Sequence, residues 1–201
     1  AAIVDYVLSI GSIGEGTDFA ELKVEGEGYA PESYGIAFRK GSDITNKVNE
    51  AIKTLKDNGK LNEIAKKYKL QDLITATEEF DAFKQAETDS DWEYIKNNGE
   101  LIIGITYFAP MNYLDENNNL IGFETEFATA VCEELGLTPK FVEINWNSKE
   151  AELKGILKGA FRKFFSDAPD KADYAFCNVI TGCRLCAEDE SSGVDIGVGV
   201  R

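Results

Sequence analysis

The chain has 201 residues, 43% hydrophobic and 28% charged, which is typical of a globular protein with one core or two small lobes. Its net charge of −15 argues against a nucleic-acid partner, and no apolar run is long enough to span a membrane. Histidine is absent, which excludes Ser-His-Asp and Cys-His hydrolases and zinc sites with a histidine ligand.

The first 70 residues predict two strands followed by two helices. The apolar run at 1–5 ends in an acid, which predicts a buried strand with Asp5 at its end. A Gly- and Ser-rich stretch then predicts turns, and the alternation over 33–40 predicts a second strand. Ser42 or Asp43 can cap a helix that Gly59 ends, and a short helix follows near 61–68.

The middle of the chain predicts a connector and then a strand, a helix and another strand. Residues 71–100 are acidic and polar, as expected of one or two surface helices. The apolar run 101–108 predicts a buried strand, and DENNN predicts a turn. A helix is predicted over 123–135, a strand over 140–144, and another helix from Ser148.

The alternation of predicted strands and helices predicts an α/β fold with a mostly parallel sheet flanked by helices. After residue 155 the alternation of predicted strands and helices is less clear. Residues 172–180 still predict a strand, and apolar residues alternate with others over 194–200. Ligands of such sheets bind outside the carboxyl ends of the strands. The residues that follow each strand are therefore the candidates for a site.

The four cysteines give no clear site. Cys183 and Cys186 have the C-x-x-C spacing of a redox pair or half a metal site, but a four-thiolate zinc site would need Cys132 from a distant predicted helix. We favour small buried thiols, or one disulfide of an exported protein, because the spacing alone is weak evidence. We therefore predict no metal and no cofactor.

The candidate residues have the chemistry that a zwitterionic amino acid requires. Asp5 offers an anion for an ammonium group, while Arg184 and Thr181 offer a guanidinium fork and a hydroxyl for a carboxylate. Aromatic faces come from the predicted strand-to-loop junctions, at Tyr107, Phe108, Tyr113 and Trp146. Each has an alternative: Asp5 caps a turn, the aromatic residues belong to the core, and Arg184 is an ordinary surface residue.

Long runs of the sequence resemble a known family. Residues 104–153, from GITYFAPMNYLDENNNLIGFETEF onward, resemble the opening of the extracellular amino-acid-binding proteins of ABC importers, polar amino acid branch. Residues 90–106 resemble the segment before it, and residues 5–24 and 30–70 resemble the family's closing third. Because the order is reversed, the chain resembles a circularly permuted member that lacks most of its second lobe.

The resemblance implies a division of the chain. Residues 1–70 would form the closing third, 71–90 a connector, 91–155 the opening part of the same lobe, and 156–201 an atypical Cys-containing tail. It also implies that Asp5 binds the ammonium group and that Phe108, Tyr113 and Trp146 line the pocket. The run 173–184 resembles a family segment that ends in Thr-x-x-Arg, which makes Thr181 and Arg184 the carboxylate clamp.

The implied function is binding of an amino-acid-like solute, without catalysis, for delivery to the membrane permease of an ABC importer. The protein would be extracellular or periplasmic, and tethered to the membrane in its full-length form. With most of lobe two missing, we expect poor affinity unless another chain supplies the other half.

Two alternatives stay open. One is a lyase or dehydratase on the same scaffold, with Glu124, Glu126 or Asp5 as the base. The other is a permuted structural module that binds no ligand and forms a homodimer through the uncovered face of the lobe.

Overall fold

The computed structural model describes residues 2–26, 34–39, 42–74, 91–148, 174–177 and 194–200. In chain order the elements are α1 (Tyr6–Ser12), β1 (Tyr34–Arg39), α2 (Ile44–Asp57), α3 (Lys60–Lys67), α4 (Asp91–Asn98), β2 (Glu100–Ile105), β3 (Tyr113–Leu114), β4 (Leu120–Ile121), α5 (Phe123–Leu135), β5 (Thr138–Glu143), β6 (Tyr174–Cys177) and β7 (Val194–Val200). Short 3-10 helices lie at Gln71–Leu73 and Trp146–Ser148.

The main sheet has the order β5-β2-β6-β1-β7. Strand β2 pairs in parallel with both β5 and β6, whereas β1 pairs antiparallel with β6 and β7. Helices α2, α4 and α5 pack against its strands. The predicted α/β fold with a parallel sheet flanked by helices is confirmed, and the antiparallel pairs lie on the β1 and β7 side.

The unit β2–α5–β5 is the part of the fold that positions the candidate site. A parallel pair requires a crossover connection, and α5 supplies it here. Gly99 and Gly136 precede the two strands with φ angles of 71° and 70°, in the left-handed region that glycine adopts at low cost. The prediction that Gly59 ends its helix is confirmed, and Gly99 and Gly136 directly follow α4 and α5.

One hydrophobic core joins the two halves of the described chain. It includes Phe38 of β1 and Ile52 of α2 from the first half, and Ile103 of β2 and Phe127 of α5 from the second, all less than 5% exposed. Residues on either side of 75–90 therefore stabilise each other by burying apolar surface together.

A second link between the halves comes from Asp43. It occupies the predicted N-cap position of α2, yet its carboxylate makes no cap bond there. Instead Asp43 Oδ1 accepts a hydrogen bond of 2.8 Å from the backbone N–H of Trp92, in the first turn of α4. The side chain thus satisfies an N–H of the neighbouring helix α4 rather than one of its own helix.

The strand predicted for residues 1–5 is wrong. Residues 2–5 have no regular structure, and Ile3 and Val4 are 81% and 51% exposed. An apolar run forms a strand only where a neighbour pairs with its backbone, and no strand in the described ranges lies beside this segment. The first regular element is instead helix α1.

Several predictions fall outside the described ranges. These include most of the 71–90 connector, the helix predicted from Ser148 onward, and most of the 156–201 tail. Strands β6 and β7 lie within the predicted strand at 172–180 and the alternating stretch at 194–200. No helix in the described part of the chain is long and apolar enough to cross a bilayer.

Candidate ligand site at the ends of two parallel strands

Strands β2 and β5 end side by side. Ile105 is paired with Glu143 at the last position of both strands. One residue further, the N–H of Ile144 donates a hydrogen bond of 2.8 Å to the carbonyl oxygen of Ile105. The segments that follow, 106–113 and 144–148, therefore leave the sheet from one edge, where ligands of parallel sheets bind.

Each of these segments exposes a large aromatic side chain. Tyr107 follows β2 by two residues and Trp146 follows β5 by three, and both are 45% exposed. Because β2 and β5 are neighbours, about 5 Å apart, both residues follow strand ends at the same edge of the sheet. Two accessible rings at this edge provide apolar faces for a ligand.

Phe108 and Tyr113 are placed differently. Both are half-buried and pack against the hydrophobic core. Phe108 also closes a tight loop, since its N–H donates to the carbonyl of Asn112 at 2.8 Å and its carbonyl accepts from the N–H of Asn112 at 3.0 Å. These two rings therefore anchor the loop to the hydrophobic core, while Tyr107 is more exposed to solvent.

Asp5 caps helix α1. Its Oδ1 accepts a hydrogen bond of 2.7 Å from the N–H of Leu8. The far end of α1 packs on the loop after β2, because a β-carbon on Gly11 would lie 2.7 Å from the carbonyl carbon of Ala109. Asp5 precedes Gly11 by six residues, about 9 Å along the helix axis. The capping alternative is thus observed, and the ammonium-binding role of Asp5 stays a prediction.

A buried polar cluster lies beneath the loop. Glu124 and Asn112 are 4% and 0% exposed, and Asn112 Nδ2 donates a hydrogen bond to Glu124 Oε2. Thr125 Oγ1 donates to Asn112 Oδ1 at 3.0 Å. Burial raises the pKa of Glu124 to about 8, although the hydrogen bond from Asn112 lowers it. Around neutral pH this carboxyl is therefore largely protonated.

Sequence reasoning named Glu124 only as a possible base and missed the roles of Asn112 and Thr125. The first turn of a helix usually exposes its acidic side chains, so the pattern FETEF gave no reason to expect burial of Glu124. As a base Glu124 is poorly placed, because its side chain lies inside the lobe, away from a solute at the surface.

The second acid of that turn, Glu126, belongs to a separate contact. Its Oε1 accepts hydrogen bonds from Lys67 Nζ and from the hydroxyl of Tyr68. Burial raises the pKa of Glu126, but these hydrogen bonds outweigh it and keep the pKa below the usual range. The hydroxyl of Tyr68 also accepts from the N–H of Gly122 at 3.3 Å. These bonds join α3 to the start of α5.

The other predicted site residues are not placed by the structure. Thr181 and Arg184, the predicted carboxylate clamp, lie outside the described residues, as do Cys183 and Cys186. Cys132 is buried in α5, where burial raises the pKa of its thiol to about 12. No group of three potential metal ligands occurs within the described ranges.

Residues 101–156 match the family model of the bacterial extracellular solute-binding proteins, family 3. This match covers 56 of the 201 residues. The resemblance found in the sequence is therefore confirmed for the segment that carries both strand ends and the two exposed rings, while the circular permutation stays a prediction.

Relatives match over the same modest length. The arginine-binding extracellular protein ArtP of Bacillus subtilis is 32% identical over 68 residues, which are 34% of this chain and 27% of ArtP. A substrate-binding protein of an ABC uptake transporter from Streptococcus pneumoniae, solved with bound histidine, is 32% identical, with 35% of this chain and 28% of that chain covered and a TM-score of 0.31. The chain thus spans about a quarter of the length of the curated relative.

An enzyme is also among the similar structures. An ancestral cyclohexadienyl dehydratase is 26% identical, with 31% of this chain and 27% of that chain covered and a TM-score of 0.30. The matching family model describes solute-binding proteins, whereas this similar structure is described as a dehydratase.

Proposed function

We propose that the edge where β2 and β5 end is the ligand face of a lobe that binds a free amino acid without catalysis. The observation that carries this proposal is the pair of exposed rings, Tyr107 and Trp146, at the ends of adjacent parallel strands. Both lie inside the segment that matches the solute-binding family.

The chemistry of the edge favours an amino acid with a flat or cationic body. Aromatic faces attract cations such as a guanidinium group, by about 0.5–2 kcal/mol per contact. Asp5 would bind the ammonium group, and Thr181 with Arg184 would bind the carboxylate. The name of ArtP supports arginine as the first ligand to test.

The proposed organisation follows the shared core. Residues 1–70 and 91–155 would form one lobe in permuted order, with 71–90 as connector and 156–201 as an added tail. The core that joins β1 and α2 to β2 and α5 supports this division. The protein would act outside the cytoplasm, tethered to the membrane, and would deliver its solute to the permease of an ABC importer.

Calorimetry with the common soluble amino acids, starting with L-arginine, tests the function. We expect saturable binding of one of them with a dissociation constant above the micromolar range, because the single lobe proposed here would supply only part of a two-lobed pocket. The absence of binding by all amino acids up to about 10 mM, where even a free energy near −3 kcal/mol is detectable, would refute the proposal.

Tryptophan fluorescence tests the location. The chain has two tryptophans, so Trp92→Phe leaves Trp146 as the reporter at the edge, and Trp146→Phe leaves Trp92 on α4 as the matched control. The ligand should change the emission of the first variant and leave the second unchanged. Calorimetric binding without a response from Trp146 would move the site elsewhere.

A further inference from the structure

We propose that Glu124 is a positioning residue, which holds the ring-bearing loop 106–113 in its binding shape through the side chain of Asn112. This inference rests on the proposed function, since it assigns a role toward the same edge. Glu124 touches no ligand in this proposal and acts only through the loop.

The contacts form a continuous path from α5 to the exposed ring. Glu124 accepts from the amide nitrogen of Asn112, and the backbone of Asn112 makes two hydrogen bonds to Phe108, the neighbour of Tyr107. The amide oxygen of Asn112 is occupied by Thr125. Both ends of a fully buried amide are thus fixed, so its orientation and that of the loop are determined together.

The backbone supports the same arrangement. The N–H of Glu124 donates to the carbonyl of Met111 at 3.0 Å, and the N–H of Phe123 donates to the carbonyl of Pro110 at 2.9 Å. The loop therefore satisfies N–H groups of the first turn of α5, which have no partner within the helix itself. Loss of the side-chain bond would leave these backbone bonds in place and loosen the loop without unfolding the helix.

The proposal requires a hydrogen-bond acceptor at position 124 and does not require a negative charge. Elements α2, α3, β4 and β5 pack against α5, and none of their charged groups is a cause of the pKa shift of Glu124. Glu126 of α5 bonds Lys67 of α3 and Tyr68, the residue after α3. Tyr113 of β3 packs against the core beside the loop. The pKa of Glu124 is set by its burial and by Asn112. Ionisation at alkaline pH therefore places a charge in a dry site and should disturb the loop.

The test uses ligand-free protein in which Tyr107→Trp is combined with Trp92→Phe and Trp146→Phe, so that emission and acrylamide quenching report on the loop itself. Glu124→Gln keeps an acceptor for Asn112 and should leave both signals unchanged at pH 6. Glu124→Leu removes the acceptor and should raise quenching about twofold. Glu126→Leu, two residues along α5, should leave the quenching unchanged although it breaks the contact with α3. A folded Glu124→Leu protein with unchanged quenching would overturn the proposal.

Two further measurements separate positioning from simple loss of stability. Thr125→Val removes only the hydrogen bond to the amide oxygen of Asn112, so it should raise quenching by a smaller amount than Glu124→Leu. If Glu124→Leu does not fold, unchanged quenching in Thr125→Val would overturn the proposal. The protein that keeps Glu124 should show a change in the emission of the loop reporter centred near pH 8 that Glu124→Gln lacks. A change that persists in Glu124→Gln would also overturn the proposal.

The affinity for L-arginine tests the role of Glu124 in ligand binding. The affinity for L-arginine should stay within twofold in Glu124→Gln and fall at least tenfold in Glu124→Leu. A tenfold loss in Glu124→Gln as well would show that the charge itself is needed and would overturn the proposal. If the parent binds no amino acid, the proposed function fails, while the ligand-free quenching data still decide the role of Glu124.

Discussion

The backbone of Met111 lies directly against Gly122. A β-carbon on Gly122 would overlap the carbonyl oxygen of Met111 and lie 2.6 Å from its carbonyl carbon. Gly122 also has a φ of 129°, which side-chain-bearing residues rarely adopt. The close approach lets the same carbonyl accept from the N–H of Glu124. The loop after β2 is thereby docked on the start of α5.

Gly122→Ala should therefore lower the free energy of unfolding by about 2–4 kcal/mol, because overlap with backbone adds to an unfavourable φ. Gly16→Ala is the matched control, since Gly16 has a φ of 84° but nothing within 4 Å of an added β-carbon. We expect it to cost only about 1–2 kcal/mol. Urea denaturation of both variants measures the difference, and equal losses would contradict the packing argument.

Substitutions of Asp5 separate capping from ligand binding. Asparagine caps helices about as well as aspartate, so Asp5→Asn should change stability by less than about 0.5 kcal/mol, whereas Asp5→Ala should cost about 1 kcal/mol. If the carboxylate binds the ammonium group, both variants should lose about tenfold or more in affinity for L-arginine. Denaturation measures the change in stability, and calorimetry measures the change in affinity. An Asp5→Asn protein with unchanged affinity would show that Asp5 acts only as the cap of α1.

The stability of the protein should fall as the pH rises toward 8. Burial raises the pKa of Glu124 to about 8, so between its ordinary value and pH 8 the folded chain binds one proton more than the unfolded chain. Stability then decreases with pH, by at most about 1.4 kcal/mol per unit. The chain has no histidine, the side chain that ordinarily titrates in this window.

Urea denaturation at pH 5.5, 6.5 and 7.5 measures this slope. Glu124→Gln should flatten it, because the group that binds the extra proton is gone. A slope that is the same in the parent and in Glu124→Gln would mean that another group is responsible.

Tyr68→Phe should cost about 1–3 kcal/mol. The lost hydroxyl donates to Glu126 and accepts from the N–H of Gly122. Gly122 is buried, so its N–H would be left without this partner in a place that water does not reach, whereas Glu126, 32% exposed, would keep its bond from Lys67. Tyr6→Phe is the control, because Tyr6 is 56% exposed and its loss should be within about 0.5 kcal/mol. Thermal denaturation at pH 7 compares them, and equal stabilities would argue that the Tyr68 hydroxyl contributes nothing.

Periodic apolar patterns and glycine stops determined most of the regular elements. Helices α2, α3 and α5 and strands β1 and β2 were predicted within a few residues, since their buried faces repeat at the spacing of a helix or strand. Strand β5 begins at Thr138, two residues before the predicted start. The strand prediction for residues 1–5 was wrong because an apolar pattern indicates burial, whereas a strand also needs a neighbouring strand to pair with its backbone.

For the candidate site, the sequence by itself determined which aromatic residues follow the strands and that the carboxyl ends of parallel strands share an edge. Only the tertiary structure decided that Tyr107 and Trp146 are exposed while Phe108 and Tyr113 pack inward, and that Asp43 bonds the backbone of Trp92 in α4. It also decided the burial of Glu124 against Asn112. The physical reason is that burial and hydrogen-bond partners depend on residues far away in the chain, whereas local periodicity records only the nearest turns.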